Sequence, residues 1–104
     1  MTDQTVARDT LLARRLALVA TLSGLTAEMQ KHNQVLAGIE MGVLRIELEI
    51  GRTGASEQLV RDLHEAEQAA EPAMALRAEC EQRIEAAERE VEAVDRDLAA
   101  AGGA

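Results

Sequence analysis

Three side chains of this sequence could carry chemistry by themselves: His32, His64 and the single cysteine, Cys80. An imidazole changes charge near neutrality and can move a proton or hold a metal, and a thiol can act as a nucleophile or a ligand. Neither kind of work is done alone. A metal site between helices needs a Glu three residues before an inward-facing His. Met29 stands three before His32, and Arg61 three before His64. No zinc or di-iron site is therefore expected, and no metal or other cofactor.

A phosphotransfer histidine on a helical bundle is exposed and closely followed by a lysine. His32, with Leu36 and Gly38 after it, has Val35 where that lysine belongs. Cys80 falls among apolar neighbours, which makes an inert thiol and a small core residue rather than a redox centre. There is no Gly-rich phosphate loop and no serine in a nucleophile turn. The expectation is a protein that is not an enzyme.

The elements that must position these residues are legible from periodicity. In the first half, steps of four and three place Leu11, Arg15, Leu18, Leu22, Leu25, Met29, His32, Leu36, Ile39, Val43, Ile46 and Ile50 on one seam. In the second half the same rule collects Leu59, Leu63, Ala66, Ala70, Ala73, Arg77, Cys80, Ile84, Ala87, Val91, Val94, Leu98 and Ala101. Two unbroken runs of this kind predict two coiled-coil helices. Between them lies Gly51-Arg52-Thr53-Gly54-Ala55-Ser56. Gly51 is expected to end the first helix in the left-handed conformation. Ser56 is expected to cap the second, with Glu57 at its positive end. A short connection makes antiparallel neighbours. The fold expected is all-α: one domain over residues 1–104, with a helix over about 5–50, a loop over 51–56 and a helix over about 57–101. Residues 99–104, ending in Gly102-Gly103-Ala104, should fray. Pro72 removes a backbone donor and clashes with the preceding turn, so the second helix kinks or breaks there.

The two arms differ. The second carries Glu57/Arg61, Glu79/Arg83, Glu85/Arg89 and Glu92/Arg96 in the favourable order four apart, as suits a solvated helix. The first has large apolar residues off its seam: Leu12, Leu16 and Val19 near its start, then Met41, Leu44 and Leu48 near the loop. One partner helix cannot cover two faces, so a dimer forming an elongated four-helix bundle is expected, with the first arm central. Those six residues are the candidate interaction surface. Folding about a centre between Thr53 and Gly54 pairs residues whose numbers sum to about 107. His32 and Arg77 then fall at similar heights as a polar waist. It reads as a register device between two similar seams, with a pH-sensitive contact layer as the sharper alternative.

Composition and charge narrow the partners. The 104 residues include no Phe, Trp or Tyr, so the core must be built from aliphatic side chains in regular seams. The net charge of -8 disfavours nucleic acid and anionic membranes. The imbalance sits in residues 53–104, with five basic and thirteen acidic groups, against six of each before them. A basic partner would therefore meet the second half. Arg14-Arg15 followed by the apolar stretch 16–25 imitates a signal peptide, but Asp3, Asp9 and Leu25 fit that pattern poorly. A lone cysteine suits a reducing compartment, and a cytoplasmic location is expected. The function expected is a structural or adaptor-like protein–protein interaction module: a homo-oligomer with a further, unidentified protein partner, and no nucleic acid or membrane. Two alternatives stand beside it. One is a small acidic cytosolic secretion chaperone or export accessory protein. The chain is similar in length and acidity to helical hairpins among flagellar and type III secretion chaperones, with no motif carrying the resemblance. The other is a metal-binding or phosphotransfer helical bundle.

Overall fold

The computed structural model describes residues 2–102. It is all-helical: α1 (Thr2–Thr53) and α2 (Glu57–Gly102) are joined by Gly54, Ala55 and Ser56 as a helical hairpin. Both helices are longer than the periodicity alone suggested. α1 starts three residues earlier than expected, and residues 99–102 are helical where fraying was expected; residues 103 and 104 lie outside the described residues.

The turn corrects one assignment. Gly51 stays helical, and Gly54 takes the positive φ of 91°. The Gly54 amide donates to the Ile50 carbonyl at 2.8 Å, which is the bond of a helix ended by one left-handed residue. The last turn of α1 is held locally. Arg52 Nη2 donates to Glu49 Oε2 at 2.6 Å, and the Thr53 hydroxyl donates to the Glu49 carbonyl at 2.9 Å. Ser56 caps α2 as expected. Its Oγ accepts from the Leu59 amide at 3.1 Å, and its carbonyl accepts from Val60 at 3.0 Å. Two helix ends are thus satisfied within three residues, and a turn that short leaves only an antiparallel return.

α2 runs unbroken through Pro72, so the alternative of two separate helices there falls away. The proline removes one backbone bond, but the apolar seam continues on both sides and holds the helix together.

The chain packs as two compact units. The first comprises Met1–Ala27 with Cys80–Ala104. Leu25, Cys80, Ala87 and Val94 are buried there, while Leu11, Leu18, Leu22, Ile84, Val91 and Leu98 are half-buried. Ala87 and Cys80 are small, which lets the helices approach closely at those levels. The second unit is Glu28–Glu79 and contains the turn. Leu36 is its buried residue, flanked by half-buried Met29, Ile39, Val43, Ile46, Ile50, Leu59 and Leu63. Nearly every seam residue points inward, yet few are fully covered. Two helices alone leave the flanks of a seam open to water.

Candidate interaction surface

The polar residues singled out by the sequence do not converge. His32 is inward, its side chain 20% exposed, with Nε2 3.9 Å from Glu28 Oε1 one turn earlier. At that length the contact is an electrostatic neighbour rather than a hydrogen bond. Arg77 occupies its seam position but is exposed, because its long stem lets the guanidinium swing out to water. Among the described residues no hydrogen bond or ion pair joins the two. Cys80 is buried, and its thiol donates to the Leu25 carbonyl at 3.5 Å. His64 is exposed beside Glu67, Gln68 and Glu71. Among the described residues no group of three or more His, Cys, Asp or Glu side chains could hold a metal ion.

The surface depressions are shallow and local. One is lined by Arg45, Leu48, Glu49 and Arg52 of α1. Another is lined by Ser56, Val60, Arg61 and His64 at the start of α2. The first lies between side chains of α1, and the second between the turn and the first residues of α2.

Sequence reasoning missed the contacts that cross between the helices of the first unit. Arg15 Nε donates to Asp95 Oδ1 at 2.6 Å, and its Nη2 donates to Oδ2 at 3.5 Å. Arg14 Nη2 donates to Glu90 Oε1 at 3.3 Å. The hydrogen bond that Arg15 donates to Asp95, and then the charge of Asp95, raise the pKa of Arg15, with desolvation opposing. The pairing rule stated above contained the signal, since it sets Arg15 within one turn of Asp95. The expected pairs Glu57/Arg61, Glu85/Arg89 and Glu92/Arg96 are not closed among the described residues. Exposed pairs on one helix gain too little to hold two long side chains in place.

The remaining surface feature is apolar. Leu12, Leu16 and Val19 are exposed, Leu16 by 73%, and so are Met41, Leu44 and Leu48, with Met41 at 69%. Val6, Val35, Val60, Met74 and Leu76 join them, unforeseen because they follow no run of their own. In the second unit, Met41, Leu44 and Leu48 follow steps of three and four, which puts them on one line of α1, away from the seam of Ile39, Val43 and Ile46. α1 is also the one helix among the described residues that is long and apolar enough to cross a membrane. An eighteen-residue window of it averages 1.2 in hydropathy and is 6% buried. By length and composition alone this bears on the expectation of no membrane contact. A helix face awaiting a protein partner has the same character. Compared with protein-family models, with curated proteins and with solved structures, the chain matches none.

Proposed function

We propose that this chain is a protein–protein interaction module, structural or adaptor-like, that works as a homo-oligomer of helical hairpins. The observation that carries the reading is the apolar surface of α1 that α2 leaves in water, with Met41, Leu44 and Leu48 on one line. Fully burying each such side chain gains about 1.5–3 kcal/mol. A second copy supplies the same line in reverse, and a two-fold contact through α1 makes a four-helix bundle. Sedimentation at micromolar concentration should give at least twice the 11.2 kDa chain mass. Changing Met41, Leu44 and Leu48 together to Ser should return it to one chain mass. A wild-type monomer would sink the homo-oligomer.

A secretion chaperone or export accessory role is the second reading. It is favoured by the few fully buried residues, five hydrophobic side chains among those described. Such a chain would tighten only when a client covers α1, and hydrogen exchange with and without the client separates the two readings.

A further inference from the structure

In the first unit, one edge of the helix pair has an apolar wall and an acidic wall. Leu12, Leu16 and Val19 are exposed at steps of four and three on α1. On α2, Glu81, Glu85, Glu88, Glu92 and Asp95 repeat the same steps, and all are exposed. The cross-helix contacts say which edge each line occupies. Arg14 and Glu90 each stand one residue before a seam position, and they pair at 3.3 Å along one edge. Leu12 and Val19 each stand one residue after a seam position, as do Glu81, Glu88 and Asp95. In an antiparallel pair these residues line the opposite edge. The contacts of Cys80 with Leu25 and of Arg15 with Asp95 set the register. That register puts Leu12 level with Asp95, and Val19 level with Glu88.

Apart from Asp95, which Arg15 pairs, the acidic wall lacks a counterpart, and so does the apolar one. Glu81, Glu85, Glu88 and Glu92 make no ion pair or hydrogen bond among the described residues. On α1 the Thr21 and Thr26 hydroxyls donate to the Ala17 and Leu22 carbonyls, so these two turn back into their own helix.

We infer that this edge docks a cationic amphipathic helix from another protein. The apolar face of that helix lies on Leu12, Leu16 and Val19, and its Lys or Arg flank faces Glu85, Glu88 and Glu92. The inference rests on the reading of the chain as an interaction module and supplies the chemistry of its partner. A second copy fits this edge badly, because the line Leu12, Leu16, Val19, Ser23, Thr26 offers no cation to the acidic wall. An anionic lipid surface would be repelled by the same wall.

The test is fluorescence anisotropy with a labelled Leu/Lys peptide of amphipathic helical order, about 18 residues long, titrated with the full chain. The counterpart with Glu for every Lys serves as control. The Lys peptide should bind and the Glu peptide should not. Glu85→Lys, Glu88→Lys and Glu92→Lys together should weaken binding about a hundredfold. The same charge change at Glu65, Glu67 and Glu71 should weaken it less than about threefold. Equal loss from both triples, or no binding of the Lys peptide, overturns the proposal. So does partition of the chain into phosphatidylcholine vesicles in place of peptide binding. Sedimentation of a Leu12→Ser, Leu16→Ser, Val19→Ser variant should leave the oligomer mass unchanged, and a fall would give this edge to a second copy and overturn the docking. A monomeric wild type that still binds the Lys peptide would remove the homo-oligomer and leave this docking edge standing.

Discussion

At the scale of single residues, the two glycines of the connection carry opposite expectations. Gly54 sits at a φ where a Cβ collides with its own carbonyl, and Gly51 is an ordinary helical residue. Gly54→Ala should cost about 1–2 kcal/mol. Gly51→Ala should add about 0.5–1 kcal/mol, since a methyl group there meets nothing within 4 Å. Urea denaturation of both variants measures this, and equal effects would mean the chain turns elsewhere. The polar seam positions also separate. Arg77 is exposed, so Arg77→Ala should move stability by less than about 0.5 kcal/mol. His32 is half-buried at a seam position and makes no hydrogen bond among the described residues, so His32→Leu should raise the melting temperature. A marked loss from Arg77→Ala would restore a working polar layer between the helices. The raised pKa of Arg15 adds no pH dependence near neutrality. A cation whose folded pKa is raised contributes below its unfolded pKa, and loses that contribution only as pH climbs through the strongly alkaline range.

At the scale of elements, α2 carries the residue least suited to a helix interior. Its length and charge pattern are those of a solvated helix, yet Pro72 stands inside it. A proline there forfeits a backbone bond and crowds the preceding turn, at about 3 kcal/mol in a regular helix. Pro72→Ala should therefore stabilise the chain by up to that amount, read as a higher urea midpoint. No change would mean that the surrounding helix already accommodates the ring. α1 has the opposite character, with four helical glycines and an uncovered apolar surface. It depends on what packs against it more than on its own propensity.

At the scale of the whole molecule, charge opposes association. The chain carries -8 at pH 7 and its pI is about 4.7. Moving from pH 7 toward pH 5 should reduce self-repulsion and raise the circular dichroism melting temperature. The cross-helix ion pairs Arg14–Glu90 and Arg15–Asp95 are substantially exposed and hold little. A marked fall in melting temperature at pH 5 would show that those pairs outweigh the repulsion.

Much of the fold is legible in the sequence because an α-helix repeats every 3.6 residues and its buried face writes that period into the chain. The seams from Leu11 to Ile50 and from Leu59 to Leu98 were read that way, and so were the Ser56 cap and the off-seam residues Leu12, Leu16, Val19, Met41, Leu44 and Leu48. The turn was less legible, because Gly51 and Gly54 are chemically alike and only the packed helices decide how far α1 extends. The polar waist was a matter of rotamers: periodicity places the Cα of Arg77 on the seam, while its four-bond stem carries the charge out to water. Register between the helices depends on contacts between residues far apart in sequence, Arg15 with Asp95 and Cys80 with Leu25. The Arg14–Glu90 contact, in turn, marks the edge opposite the apolar and acidic lines of the first unit, because local pattern determines faces and only packing determines which faces meet.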